Sequence, residues 1–330
     1  MTEVTTSTEI IETVRAADDA GEPVLILAGG SNVVVSDDGF DGTVVLLRTG
    51  QGIRFGRGDG RVAVTVPAGV SWDAVVEACV AQGWSGIECL SGVPGSAGAT
   101  PIQNVGAYGQ EVAQTIVEVV AYDRAEGRQV SLAADECGFA YRTSMFKGSA
   151  RWVVLSVSFV LRQGGQSAPI RYAELARTLG VQPGDTAPVN VVRDAVLELR
   201  RGKGMLIDPG DPDTRSVGSF FTNPVLPNDQ YEALVARCRE LFGPDVPVPA
   251  WPDTTTTKVS AAWLIDRAGF HKGHRHGRAA ISGKHTLALT NAAGTTTAEL
   301  LDLAREIRDG VTKTFDVTLH PEPVLVGVQL

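Results

Sequence analysis

Apolar residues recur at helical spacing from Glu9 to Ala20, and Gly21-Glu22-Pro23 ends that pattern before the unbroken apolar run Val24-Leu25-Ile26-Leu27. The chain therefore opens as helix, turn and buried strand. Gly29-Gly30 separates this strand from two β-branched runs, Val33-Val34-Val35 and Thr43-Val44-Val45-Leu46-Leu47, so the first glycine turn joins strand to strand. Arg61 to Val66 alternates with a period of two and predicts a strand. Ser71 to Gln82 reads as a helix with Ser71 as its N-cap and Gly83 as its stop. From Gly86 to Gly109 no period survives, and Gly, Ser, Pro, Asn and Thr dominate; a loop of this length inside a domain is usually functional. Strands follow at Ile116 to Tyr122 and Trp152 to Leu161, then a glycine linker at Gly164 to Gln166 and a helix at Asn190 to Arg201. The glycine- and proline-rich stretch Gly202 to Phe221 is expected to hold a domain boundary. Beyond it lie helices at Ala261 to Ala268 and Thr297 to Phe315 and a closing segment at Val317 to Val326, with no internal repeat.

Length and composition narrow the class. At 330 residues the chain exceeds the size at which one core usually stops growing, so two or three units are expected. With 43% hydrophobic residues, 20% charged residues and 37 glycines it fits a loop-rich globular protein. A formal net charge of -9 argues against nucleic-acid or anionic-membrane partners, which need a basic surface. Cys79, Cys89, Cys137 and Cys238 have no spacing suited to zinc or a disulfide framework, so reduced thiols are expected. The N-terminus has no basic start followed by an apolar run, and no stretch approaches the roughly 18 apolar residues of a spanning helix, so a cytoplasmic protein without membrane insertion is expected.

The glycine loops carry the first chemical signal. Gly92, Gly95 and Gly98 are spaced Gly-x-x-Gly-x-x-Gly, which fails the dinucleotide fingerprint, and no glycine loop ends in the Gly-Lys-Ser/Thr of a phosphate loop. What remains is two loops whose successive N–H groups can form anion-holding nests, or which merely turn tightly. The run His271-Lys272-Gly273-His274-Arg275-His276-Gly277-Arg278, with Lys284 and His285, raises a metal reading, but it contains no carboxylate or thiolate. An anion site or a solvated face is preferred, and no metal is expected.

Five motifs occur in one order: Leu27-Ala28-Gly29-Gly30-Ser31-Asn32, Pro101-Ile102-Gln103-Asn104-Val105-Gly106-Ala107-Tyr108-Gly109, Tyr141-Arg142-Thr143-Ser144-Met145-Phe146-Lys147, Gly218-Ser219-Phe220-Phe221-Thr222-Asn223-Pro224 and His320-Pro321-Glu322. On these the chain resembles the UDP-N-acetylenolpyruvoylglucosamine reductase (MurB) family along nearly its whole length. The resemblance implies an α+β protein: a two-lobed, vanillyl-alcohol-oxidase-like (PCMH-type) FAD-binding fold plus a separate α+β substrate-binding domain. The corresponding division is a FAD-binding region at 1–205, with lobes at about 1–52 and 53–205, a substrate-binding domain at 206–316, and a C-terminal segment at 317–330 that returns to the flavin cleft. It implies noncovalent FAD, NADPH as co-substrate, a UDP-sugar as substrate and a monomer. The flavin would be held by Gly29, Gly30, Ser31, Asn32, Gly95, Ser96, Gly98, Ala99, Thr100, Gln103, Asn104, Gly106, Ala107, Tyr108 and Gly109. Two departures stand out: the family usually carries a further strand before the first helix, as though this chain began late, and it has a glutamine where Arg275 stands.

The implied reaction agrees with the residues. Hydride delivery to an enol ether leaves negative charge on the neighbouring carbon and its carboxylate, which calls for preorganised cationic or hydrogen-bonding groups and then a proton donor. By resemblance Arg142 and Glu322 stabilise that charge and Ser219 is the general acid. Tyr141, Tyr172, Lys203, Asn223 and Arg275 would bind substrate, with Tyr172 on a loop that closes in the family's type I branch. Taken singly, Arg142 reads as a turn arginine, Ser219 as a turn or capping serine and Glu322 as the cap of an edge strand. Two other functions stay open at this point: an oxidase of the same fold, and a nucleotide-sugar binder without catalysis.

Overall fold

Contacts divide the chain into two units, residues 1–30 with 40–206 and residues 31–39 with 207–330, in a computed structural model that describes residues 1–49, 52–291 and 294–330. The first unit begins with β1 (Thr2–Val4), helix α1 (Ser7–Asp19) and β2 (Val24–Leu27). The chain leaves this unit for β3 (Val33–Val35) and returns in β4 (Thr43–Leu47), which lies between β1 and β2 in a parallel sheet. Helix α1 starts where the Thr6 side chain accepts the Glu9 N–H at 3.1 Å, and it buries Ile10, Val14 and Ala17. The sequence reading starts this helix two residues later and misses β1, whose three residues are too few to show a period.

Next come β5 (Arg54–Gly58), β6 (Arg61–Pro67), helix α2 (Trp72–Ala81) and β7 (Trp84–Ser85). Two short strands, β8 (Gly106–Ala107) and β9 (Gln110–Glu111), precede β10 (Ile116–Asp123), β11 (Arg128–Ala133) and β12 (Trp152–Gln163). The main sheet runs β11-β10-β12-β6-β5, with β7 added to β12. Val62, Val64 and Val66 point to the core by strict alternation, while β12 is central and buried on both faces, which is why its sequence is almost continuously apolar. Trp72 of α2 packs on Phe159 of β12 with ring centroids 5.4 Å apart. Helices α3 (Ala173–Leu179) and α4 (Val189–Gly202) complete the unit around Ile170, Leu175, Val192 and Val196. Arg193 of α4 forks onto Asp73 of α2 at 2.6 and 3.0 Å.

The second unit contains β13 (Ser216–Ser219), β14 (Val225–Pro227), α5 (Asn228–Phe242), β15 (Ala250–Pro252), β16 (Thr256–Val259) and α6 (Ala261–Arg267). It continues with β17 (Arg275–His276), β18 (Ala279–Ile281), β19 (Ala288–Thr290), α7 (Thr297–Phe315) and β20 (Val324–Val326). One antiparallel sheet has the order β13-β19-β18-β17, a second the order β14-β16-β15, and β20 pairs in parallel with β3. Residues 31–39 thus cluster with this unit, although sequence order groups them with the first lobe. A capping box between Thr296 and Glu299 starts α7, and its stripe Leu301, Ala304, Ile307, Val311 and Phe315 forms the spine of the core.

All four cysteines are free and buried; burial pushes the Cys79 thiol up to about 12 and that of Cys137 up to about 11. Among the described residues no helix is long and apolar enough to cross a membrane.

Candidate active site

The two glycine loops meet inside the first unit. A Cβ built on Gly29 would lie 3.6 Å from the Cα of Gly95, so the turn after β2 rests against the start of the Gly95–Thr100 loop. Gly98 has a different reason to be glycine, since a Cβ there would come within 2.4 Å of the Ala68 Cβ and 2.8 Å of its Cα. The N–H groups of Ala97 to Thr100 are not free donors, as the sequence reading supposed. Ala97 donates to Val70 O and Gly98 to Ala68 O, both at 2.9 Å, while Ala99 and Thr100 donate to Ser96 O and Ala97 O at 3.0 and 3.1 Å. Two side chains here are left wanting instead: the Ser96 hydroxyl and the Gln110 Nε2 are buried without a hydrogen-bond partner. An unmet buried polar group costs about 1–3 kcal/mol, so a polar ligand at these atoms would relieve a real penalty. A close approach of two glycine backbones beside the orphaned Ser96 hydroxyl fits a large cofactor with many acceptors, such as FAD.

Three residues of this region hold the left-handed conformation that favours glycine: Asn104 at φ 45°, Tyr108 at 47° and Arg142 at 52°. Such backbone persists where neighbours over-determine it, and it concentrates at functional sites. Buried Asn104 donates from Nδ2 to Glu111 Oε2 at 3.0 Å and to Ala140 O at 3.1 Å, and its Oδ1 accepts from Ala113 N at 3.1 Å. It thereby ties the loop to the turn that presents Arg142. The Arg142 guanidinium donates to Gly106 O at 2.5 Å, lies 3.8 Å from Glu111 and 5.3 Å from the Tyr141 ring centroid, and its backbone oxygen accepts from Lys147 Nζ at 3.0 Å. Gly106 leaves room for it, since a Cβ there would stand 2.8 Å from Arg142 Nη1.

Tyr108, Tyr172 and Lys203 also converge. The two rings meet edge to face at 5.4 Å, and Lys203 Nζ sits 5.5 Å from the Tyr108 centroid while pairing with Glu174. Gly109 packs against Arg171 and Tyr172. Tyr172, read from sequence as a loop residue, takes the N-cap position of α3 and is 38% exposed. Burial pushes the Tyr108 phenol up to about 12, so it stays a neutral hydroxyl.

In the second unit Ser219 ends β13 after Gly218, whose φ of 78° accompanies a register shift between Ser216 and Ser219. Glu322 N donates to Phe220 O at 2.8 Å and Thr222 N to His320 O at 3.1 Å, with Phe221 bridging Pro321. Segments a hundred residues apart in order are thus zipped together, with half-buried Glu322 opposite Phe220, the residue after half-buried Ser219. Asn32 O accepts from Val324 N at 3.0 Å, and Asn223 Oδ1 accepts from Ala261 N at 2.9 Å, which anchors the start of α6. Arg275 lies exposed on β17.

The basic run is not a bare cationic patch. His271 meets Asp266 at 2.9 Å, His274 and His276 meet Glu306 at 3.1 and 2.6 Å, and Arg278 pairs with Glu299 at 2.9 Å. Among the described residues no group of three or more His, Cys, Asp or Glu is placed to hold a metal ion. Sequence reasoning missed Glu111 and Lys147, the partners of Arg142; Lys147 sits in the same motif, whereas nothing in the order of residues marks Glu111. It also missed Arg200, a buried guanidinium whose Nε has no partner and whose pKa is lowered by desolvation.

Comparison with known proteins agrees with this layout. The family described as UDP-N-acetylenolpyruvoylglucosamine reductase, C-terminal domain, matches residues 211–326, and the FAD binding domain family matches residues 1–133. A relative from Thermobifida fusca, named UDP-N-acetylenolpyruvoylglucosamine reductase, is 57% identical over 328 residues, covering 99% of this chain and 92% of its own. Another of that name, from Salinispora arenicola, is 57% identical over 331 residues, covering 99% and 90%. The crystal structure of UDP-N-acetylenolpyruvylglucosamine reductase (MurB) from Thermus caldophilus superposes with a TM-score of 0.64 at 22% identity, over 98% of this chain and 91% of that one. The fold is therefore the expected one, an FAD-binding fold followed by the C-terminal domain of this group.

Proposed function

The chain belongs to the UDP-N-acetylenolpyruvoylglucosamine reductase family, and we propose that it reduces UDP-N-acetylglucosamine enolpyruvate to UDP-N-acetylmuramate, a precursor of peptidoglycan, with NADPH as the electron source. FAD, when bound, would supply hydride transfer from NADPH to the enol-ether carbon. The chain's own residues do the rest. Gly29, Gly95 and the Ser96 hydroxyl line the flavin site in the first unit, which serves as the FAD-binding region, and the second unit receives the sugar nucleotide.

When hydride arrives at one alkene carbon, the electron pair of the double bond moves to its neighbour and its carboxylate. Arg142, held in its left-handed turn, supplies positive charge to that carboxylate without reorganising. Ser219 delivers the proton to the carbon, and Glu322 beside it orients the developing enolate and helps draw that proton across. Tyr141, Tyr172, Lys203, Asn223 and Arg275 bind the substrate. The reading is carried by the backbone pairing of 220–222 with 320–322, which brings together the two segments that hold Ser219 and Glu322. As an enzyme of soluble nucleotide metabolites it works in the cytoplasm, as a monomer. The test is a flavin spectrum of the purified protein followed by NADPH oxidation with and without the enolpyruvyl substrate. The reading requires noncovalent yellow colour and substrate-dependent turnover; turnover with oxygen alone would overturn it.

A further inference from the structure

Phe270, His274, His276 and Arg278 dock on α7 through their side chains. Phe270 lies over Gly310, where a Cβ would collide with its ring at 2.4 Å. His274 Nε2 and His276 Nδ1 share one carboxylate, with Glu306 Oε1 at 3.1 Å and Oε2 at 2.6 Å. Arg278 engages both oxygens of Glu299 through Nε at 3.2 and 3.1 Å. Glu299 and Glu306 are seven residues apart on α7, two helical turns and about 10 Å along one face. Alternation along a strand then sends the side chain between the two histidines the opposite way. That side chain is Arg275, and among the described residues it makes no ion pair.

The sheet register states where it points. Arg275 pairs with Ala280, Ala280 with Thr290, and Ser219 with Ala288, two residues from Thr290. Residues opposite one another share a face, so Arg275, Ala280, Ala288 and Ser219 lie on the same side of the sheet. Ala279, Ile281 and Leu289, on the other side, belong to the α7 core. The register shift at Gly218 is what brings Ser219 onto the Arg275 face. Arg275 and Ser219 are three strand spacings apart across the sheet and two residues apart along it, about 16 Å in all, with Ala280, Thr290 and Ala288 buried between them.

We propose that Glu306 is a positioning residue for substrate: through His274 and His276 it fixes β17 so that Arg275 is presented on the Ser219 face, to the diphosphate of the sugar nucleotide. An extended sugar diphosphate whose enol ether lies at Ser219 spans such a distance, and a planar guanidinium suits its phosphate oxygens. This rests on Arg275 being a substrate contact.

The experiment measures the Kd of the enolpyruvyl substrate for the oxidised holoenzyme, by flavin absorbance, together with kcat and the rate of flavin reduction by NADPH. The set is Arg275→Ala, Glu306→Ala, Glu306→Gln and the two double variants. Arg275→Ala and Glu306→Ala are each expected to raise Kd roughly tenfold, the value of one charge-assisted hydrogen bond. Glu306→Gln, which keeps the shape and one acceptor, raises it less and covers the case in which the alanine variant fails to fold. Flavin reduction by NADPH stays unchanged, and with Arg275 already alanine either Glu306 change moves Kd by less than about twofold. Equal Kd losses with and without Arg275, or no loss from Glu306→Ala, overturn the proposal while leaving Arg275 a substrate contact. If Arg275→Ala itself leaves Kd unchanged, the reading of Arg275 falls and the proposal with it.

Discussion

Replacing Asn104 by alanine removes one buried carboxamide that makes three hydrogen bonds at 3.0–3.1 Å. Each such bond contributes about 1 kcal/mol net, and the Ala113 N–H would be left without its acceptor. Alanine at φ 45° adds about 1–2 kcal/mol of left-handed strain that asparagine tolerates better. The total is about 3–5 kcal/mol, a large share of the roughly 5–15 kcal/mol by which domains are stable, yet short of unfolding most of them. The tie to Ala140 O also disappears, while the Ala140–Thr143 bridge, the Lys147 contact and the Arg142 bond to Gly106 O still hold the Arg142 turn. Urea unfolding of the purified variant would give the stability loss, and stopped-flow absorbance would separate flavin reduction by NADPH from reoxidation by substrate. Reoxidation should slow more than reduction, because Arg142 acts only on the enolpyruvyl group. A stability loss below 1 kcal/mol, or equal slowing of both half-reactions, would refute the reasoning.

Two glycines separate packing from ligand approach: Gly98→Ala must push into Ala68, and should lower thermal stability by about 1–3 kcal/mol whether or not flavin is bound. Gly29→Ala meets its nearest neighbour at 3.6 Å, an ordinary contact, so its apoprotein should melt as the parent does while binding FAD more weakly in a flavin titration. Near α7, the hydrogen bond from Arg278 and that from Thr296 hold the Glu299 carboxyl at about 2, below its ordinary value of 4.5. The stability from a depressed carboxylate is complete above its unfolded pKa and is lost as pH falls through the folded one, so the 273–281 hairpin should loosen from α7 between about pH 4.5 and 2. Hydrogen exchange across the hairpin measures this, and Arg278→Gln should move the onset to higher pH.

Strong periodicity made some elements legible from order alone. β12 is an almost continuous apolar run because both its faces are covered, and α7 carries a five-residue stripe with a capping box. Helix α5 was not legible: it buries Leu234 and Cys238 and little else, too thin a stripe to stand above its polar residues. Strand β11 alternates, but with exposed and half-exposed positions, and β13, β17, β18 and β19 are each four residues or fewer. In the site, motif order named Arg142, Ser219 and Glu322, but not that Asn104, Tyr108 and Arg142 share a left-handed backbone. Nor did it show that the donors of Ala97 to Thr100 are spent on the fold, since backbone pairing depends on segments distant in the chain. The histidine run gave the same lesson, because its carboxylate partners come from α7 and from α6.

The central claim is that Ser219 acts on the substrate and not on the flavin's reduction. Single-turnover stopped-flow on Ser219→Ala tests it most directly, following flavin absorbance first with NADPH and then, on the reduced enzyme, with the enolpyruvyl substrate. Loss of a general acid should slow reoxidation about 10²- to 10⁴-fold while reduction by NADPH keeps the parent rate. Reoxidation at the parent rate, or the same loss in both half-reactions, would contradict the account.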